Sequence, residues 1–197
     1  QVTDLLDEYI AQGVSQIMVL KGDYPKTIIK KGDFNYANEM VEFIKENYFD
    51  INILVAAYPE KHPHSNCIST DIDFFVNKVN AGADKAVTQY FYNIDAYLHF
   101  IEEVQKRNID IPITPGIMPI TNYDQLIYFS KACGAEIPAW ILNKLKLYKN
   151  DLNSLKEFGE DVVSEMCLKL KDNGVSSFHF YCLNKAEPTL SIVKKIT

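Results

Sequence analysis

Five short apolar runs punctuate the chain, and each ends in a polar loop before a segment with helical spacing. The clearest covers residues 51–58, apolar almost throughout, which stops at Tyr58-Pro59 and releases Glu60, Lys61, His62 and His64. A run without polar alternation suits a strand covered on both faces, as in a parallel sheet. The others span 15–20, closing on Lys21-Gly22-Asp23; 86–92; 111–120, interrupted by Pro115-Gly116; and 177–182. Between them, apolar residues recur at helical intervals. Leu5, Leu6, Ile10 and Ala11 mark a helix over 2–13, and Met40, Val41 and Ile44 one over 36–48. A polar loop over 26–33 separates the first strand from that second helix. Further helices are expected over 70–80, ending at Ala81-Gly82-Ala83, over 94–107 behind Asn93 as N-cap, and over 122–133. Ile137-Pro138-Ala139-Trp140 opens another, 152–171 forms a long amphipathic one, and 188–196 the last, with Pro188 near its first turn.

Strand–loop–helix units in series mean a parallel α/β protein, either an open doubly wound sheet or a (β/α)8 barrel. No strand is followed by G-x-G-x-x-G or a Walker loop, which weakens the nucleotide-fold option. Polar residues leave nearly every strand end, as in a TIM barrel whose mouth is the active site. Five strands cannot close an eight-stranded barrel, and Gln1 already reads as the interior of a helix. The expectation is therefore one barrel domain over 1–197 that lacks about three units at its front.

Composition narrows the partners. The 197 residues are 47% hydrophobic and 23% charged, ordinary for one globular domain. A formal charge of −6 with no basic cluster argues against nucleic acid or an anionic membrane. No apolar segment approaches the roughly 18–20 residues of a membrane span. Cys67, Cys133, Cys167 and Cys182 form no C-x-x-C pair and read as reduced thiols in the cytoplasm.

The candidate chemistry sits at strand ends. Asp23 could put a carboxylate in the mouth with Gly22 letting the backbone approach a ligand, although Lys21-Gly22-Asp23 alone reads equally as a turn. His62, His64 and Cys67 have metal-binding side chains, yet two close loop histidines more often serve as hydrogen-bonding surface residues, so no metal site is expected. Gln89, in an otherwise apolar strand, needs a partner; it could satisfy a barrel-interior bond or grip the edge of a heteroaromatic ligand. Gln125 and Phe129 lie four residues apart on one helix and can face the same side. Taken singly, Phe129 and Trp140 read as core. Lys185 is either a Schiff-base or anion-binding lysine or a surface one, and Lys85 sits at the wrong end of its strand for catalysis.

Several of these stretches carry a family resemblance. Val55-Ala56-Ala57-Tyr58-Pro59-Glu60-x-His62-Pro63, then Ala81-Gly82-Ala83-Asp84-Lys85-Ala86-Val87-Thr88-Gln89-Tyr90-Phe91, then Pro115-Gly116-Ile117-Met118-Pro119 and Ile137-Pro138-Ala139-Trp140, resemble methylenetetrahydrofolate reductase. So does Phe178-His179-Phe180-Tyr181-x-Leu183-Asn184-x-Ala186-Glu187. The resemblance covers essentially the whole chain in order. It implies an FAD-dependent (β/α)8 barrel of one-carbon metabolism and methionine biosynthesis, reducing methylenetetrahydrofolate with NADH or NADPH by ping-pong hydride transfer. This chain resembles strands four to eight; the family's first three strands, with its glutamate general acid, have no counterpart in the sequence.

By that resemblance the flavin contacts fall on Lys21, Gly22, Asp23, Ala37, Tyr58, His62, Ser65, Asp71 and Lys78. The folate contacts fall on Asp23, Gln89, Gln125 and Lys185, with Phe129 stacking on folate or nicotinamide and Asp23 as the catalytic carboxylate. Lysine replaces the family's arginine at Lys21 and Lys185, which keeps charge but loses the planar fork. Phe74 and Asn77 replace polar or basic residues on the flavin-side helix. The alternatives are a lysine-dependent aldolase-type barrel using Lys185 and a non-catalytic flavin- or folate-binding chain. The 152–171 helix serves as barrel wall or faces an identical partner, and a homo-oligomer is the expected assembly.

Overall fold

The computed structural model describes residues 2–22, 32–48 and 50–197; Asp23 and residues 26–31 of the expected polar loop lie outside the described residues. Five strands, β1 (Gln16–Val19), β2 (Asn52–Ala57), β3 (Lys85–Tyr90), β4 (Ile113–Ile117) and β5 (His179–Phe180), pair in parallel in the order of the chain. The helices are α1 (Val2–Ala11), α2 (Ala37–Asn47), α3 (Ile68–Asn80), α4 (Ile94–Gln105), α5 (Tyr123–Cys133), α6 (Ala139–Leu147), α7 (Leu152–Asp172) and α8 (Ala186–Ile196).

The strand order decides between the two architectures. A doubly wound sheet reverses direction at a switch point. Here every step goes the same way, and right-handed crossovers then place the helices on one face, the arrangement of a barrel wall. The β2 side chains follow this division. Ile53, Val55 and Ala57 are fully buried beside Val41 and Ile44 of α2 and Ile72 and Phe75 of α3. Leu54 and Ala56, on the other face, are only half-buried. Each fully buried isoleucine or valine contributes about 1.5–3 kcal/mol.

Two apolar clusters consolidate the fold. One gathers α1 to α3, β1, β2 and the beginning of β3, and reaches Phe100 and Val104 of α4. The other gathers Tyr90, Tyr97, the end of β4 and helices α5 to α8, with Ile141, Leu145, Val163 and Cys167 fully buried. Strand β3 and helix α4 take part in both. All four cysteines are free. Among the described residues, no helix is long and apolar enough to cross a membrane.

Four expectations change. The fourth strand is shorter than 111–120, and Pro115-Gly116 lie inside it. Its pairing with β3 runs Val87 to Thr114 and then Tyr90 to Gly116, so β3 carries an extra residue there. A bulge tolerates a proline that has no N–H to give. The last strand keeps only His179 and Phe180 of 177–182, paired to β4 alone. Helix α8 begins at Ala186, two residues before the expected start, because Pro188 falls in the first turn, where helical N–H groups have no partner in any case. Trp140 corrects the reading of it as core. It is 59% exposed, since Ile141 and Leu145 form the inward stripe of α6 and leave Trp140 edge-on to Phe158.

Candidate functional site

The loop after β2 is built around one carboxylate. Asp71, in the first turn of α3, is buried, and it accepts the hydroxyl of Ser65 at 2.5 Å and the backbone N–H of His62 at 3.0 Å. Lys61 donates to the carbonyl of Ser65 at 2.6 Å while its own backbone stands at φ +126°. A non-glycine residue in that region costs of the order of 1–3 kcal/mol and persists where its surroundings hold it. The His62 ring meets Tyr58 edge-on with centroids 4.7 Å apart, and its Nδ1 accepts the N–H of His64 at 3.1 Å. Five residues named from the sequence, Tyr58, His62, Ser65, Asp71 and Lys78, thus form one cluster.

Lys78 reaches that cluster from lower on α3. Its ammonium donates to the carbonyl of Ala56 and lies 6.0 Å from the Tyr58 ring centroid. Burial pulls its pKa down to about 8, with the Asp71 carboxylate acting in the other direction. An ammonium held this way is ready for an anion that would take over from the single backbone carbonyl. The unfolded chain binds more protons than the folded one between about 8 and the ordinary 10.5. Folded stability should therefore climb with pH across that window, and Lys78→Met should flatten the climb in denaturant titrations.

The end of β1 meets the start of α2. Lys21 lies 5.0 Å above the Tyr36 ring, Gly22 takes φ +70°, and Ala37 is the first residue of α2. The Glu39 carboxylate accepts the N–H groups of Asn35 at 2.6 Å and Tyr36 at 3.3 Å, which fixes that helix start.

Gln89 stands at the end of β3, in the bulge, where Thr88 turns its hydroxyl to the N–H of Gly116 at 2.8 Å. The Gln89 side-chain oxygen accepts the N–H of Tyr90 at 3.0 Å, so the partner demanded by burial is its own backbone neighbour. The amide nitrogen stays available. Tyr181, just after β5, closes the seam by donating to the Thr88 carbonyl at 2.9 Å, and burial pushes its hydroxyl up to about 12.

Beyond β4, Asn122 caps α5 by accepting the N–H of Gln125 at 2.8 Å. Gln125 and Phe129 then face one crevice, walled by Pro119, Asn122 and Leu183. Phe129 is half-buried and packs on the core, so it presents part of its ring rather than a free platform. Lys185 stands exposed at the start of α8 and borders a cavity of about 570 Å³ with Asn122, Lys156 and Glu187. The Pro119–Asn122 segment walls both openings, so Gln125, Phe129 and Lys185 occupy adjoining crevices, whereas Gln89 lies in a separate, smaller one.

Sequence reasoning gave no role to Glu60, Thr88 or Tyr181. Thr88 and Tyr181 act through the bulge, which no local pattern announces. Glu60 is visible as a carboxylate after Pro59, but its partner, the N–H of Glu136 at 2.8 Å, lies 76 residues away.

Comparison with known proteins adds a family. The model of methylenetetrahydrofolate reductase matches residues 1–197. The 5,10-methylenetetrahydrofolate reductase of Buchnera aphidicola subsp. Baizongia pistaciae is 39% identical over 186 residues, covering 94% of this chain and 62% of that protein. The enzyme of that name from Escherichia coli K12 is 36% identical over 185 residues, with the same two coverages of 94% and 62%. The chain thus spans less than two thirds of the length of these relatives. In fold it is similar to an uncharacterized protein from Clostridium thermocellum that binds two copies of 5-methyl-5,6,7,8-tetrahydrofolic acid. The TM-score is 0.60 at 18% identity, covering 91% of this chain and 70% of that one.

Proposed function

This chain belongs to the methylenetetrahydrofolate reductase family, and from that premise we propose that it reduces methylenetetrahydrofolate to methyltetrahydrofolate with NADH or NADPH through bound FAD. The consecutive strand order supports the barrel reading, in which 1–197 is one catalytic domain and its strands stand as strands four to eight. A cytoplasmic homo-oligomer completes the proposal.

The observation that carries the cofactor is the buried Lys78 ammonium, bonded to a single carbonyl beside the Asp71 network. An anionic cofactor with an aromatic ring suits such a place, since the ammonium would neutralise it and Tyr58 and His62 offer ring faces and edges. Lys21, Gly22, Ala37, Tyr58, His62, Ser65, Asp71 and Lys78 would hold it, together with Asp23. When bound, a flavin accepts a hydride from the reduced nicotinamide and passes it to the one-carbon unit of the folate. The protein positions the partners and shapes the field. Gln89 keeps its oxygen on the Tyr90 N–H and offers its amide nitrogen to the folate ring, which fixes the ring's orientation. Gln125 and Phe129 would hold the folate from α5, and Lys185 its anionic tail. The Asp23 carboxylate would favour the cationic one-carbon iminium. The exposure of Lys185 supports anion contact over Schiff-base chemistry, which needs a desolvated or otherwise activated lysine.

The test is an absorption spectrum of protein produced from its natural gene, followed by anaerobic titration with NADH and then methylenetetrahydrofolate. A flavin band that bleaches and returns is expected. A colourless protein that cannot be reconstituted with FAD would overturn the reading. Asp23→Asn should slow the folate half-reaction about 100-fold, and the nicotinamide half-reaction far less. Equal losses in both, by stopped flow, would remove Asp23 from that role.

A further inference from the structure

Glu60 belongs to the cofactor loop but turns away from its cluster. Its Oε2 accepts the N–H of Glu136, just beyond the left-handed Gly134 that ends α5. The same junction is packed a second way. A β-carbon on Gly134 would meet Pro63 at 3.1 Å and the carbonyl of Lys61 at 3.4 Å, so the 61–63 segment lies directly on that turn. Helix α5 carries Gln125 and Phe129, and its Ser130 pairs with the Tyr90 hydroxyl at 3.1 Å. The loop that would hold the cofactor and the helix that would hold folate are therefore joined at Glu60.

The other carboxylate oxygen, Oε1, is buried and has no hydrogen-bond partner among the described residues. Glu60 lines a cavity of about 10 Å³ together with Tyr58, Gln89, Tyr90 and Gly134. That space is close to one water in size, and Glu60 and Gln89 bring polar side chains to walls that are otherwise mostly apolar. The Gln89 oxygen is committed to Tyr90 N–H, which leaves its amide nitrogen as a donor for this crevice.

The geometry points to Glu60 as a positioning residue that ties the cofactor loop to the end of α5 and, through one bridging water, holds the Gln89 amide in the orientation that reads the folate ring. The inference rests on the reductase reading. With the carboxylate ionised, Oε1 requires a donor, and a water that also accepts from the Gln89 amide supplies it; both ends of the amide are then anchored before folate arrives. A protonated carboxyl has less need of that donor, and the amide is released to rotate.

Titration falls where this matters. Burial raises the Glu60 carboxyl to about 7, the nearby Glu136 carboxylate adds to the rise, and the Glu136 N–H opposes it. The groups facing Glu60 are Tyr58 and Lys61 of its own loop, Tyr90 of β3, Cys133 of α5 and Glu136 of the turn. Lys61 already donates to Ser65, and among the described residues no ion pair includes Glu60.

The experiment measures the folate KM and kcat of the FAD-loaded enzyme between about pH 8 and about pH 6 for wild type, Glu60→Gln and Glu60→Ala. In wild type, KM should rise about five- to tenfold as pH falls, with kcat changing less than about twofold. Glu60→Gln keeps an oxygen for the Glu136 N–H and so preserves the tie, but its KM should not vary with pH. Glu60→Ala should raise KM at both ends of the range. A flat wild-type KM, or the same pH dependence in Glu60→Gln, would overturn the assignment. Amide exchange gives a readout that needs no ligand: the Glu136 N–H should exchange faster in Glu60→Ala and at the wild-type rate in Glu60→Gln. Equal rates in all three would overturn the tie itself. A wild-type protein that neither binds FAD nor oxidises a nicotinamide fails the reductase reading instead, and the folate-orienting role falls with it while the tie stands or falls by exchange.

Discussion

Asp71→Ala should destabilise the fold by about 3 kcal/mol and abolish tight flavin binding. The estimate follows from two hydrogen bonds to one buried charged acceptor, each worth about 1.5–3 kcal/mol when the acceptor is ionised. The substitution leaves the His62 N–H and the Ser65 hydroxyl without their acceptor and removes the charge that partly offsets burial of the Lys78 ammonium. The loop loses its tether while Lys61 keeps its strained backbone, so the Tyr58–His62 pair should no longer be held in place. Asp71→Asn retains one acceptor and should cost roughly half as much. Urea unfolding gives the stability, and flavin retention on gel filtration gives the affinity. A Asp71→Ala protein within about 0.5 kcal/mol of wild type would remove the network from its central place.

Gly116→Ala should cost about 3 kcal/mol by a different route. An added β-carbon would stand 2.2 Å from the Thr88 carbonyl oxygen and 2.7 Å from the Tyr181 ring. Backbone cannot step aside as a flexible side chain can, so β3 and β4 must separate at the bulge. Two bonds suffer with the displacement, Gly116 N–H to the Thr88 hydroxyl and the Tyr181 hydroxyl to the Thr88 carbonyl. Because Gln89 is the next residue, the folate KM should rise together with the fall in melting temperature. Gly32→Ala is the control, since no described residue lies within 4 Å of its added carbon. Equal melting temperatures for the two variants would show that the seam yields without cost.

Much of this molecule was legible before any coordinates. Apolar runs that lack alternation locate all five strands, because a strand covered on both faces has no polar side to show. A capping residue marks a helix start well at Asn93, whose side chain accepts an N–H of the first turn; Asn122, read as the first helical residue, proves to be a cap of the same kind. The members of the Asp71 cluster were named through the family resemblance alone, and they meet because they come from one strand-end loop and the helix after it. Long-range features were not legible. Pro115-Gly116 signals a break in any local reading, yet the strand runs through it because the bulge in β3 removes the need for a proline N–H. Trp140 looks like core by its chemistry alone, and only the position of Ile141 and Leu145 beside it decides the inward face. Glu60 depends on a turn that the chain reaches much later.

The division of the apolar interior has a further consequence for how the protein breathes. Each cluster is a candidate cooperative unit, one carrying residues proposed to hold the cofactor and the other the helices proposed to hold folate, with β3 and α4 running through both. At their upper boundary the strands are stitched by a threonine hydroxyl and a tyrosine hydroxyl in place of an unbroken backbone ladder. Sub-global opening should therefore begin as a parting along the β3–β4 seam, with each half retaining its own protection. The two ligand sites would then loosen at different free energies, and a ligand that spans the seam would stabilise both halves at once.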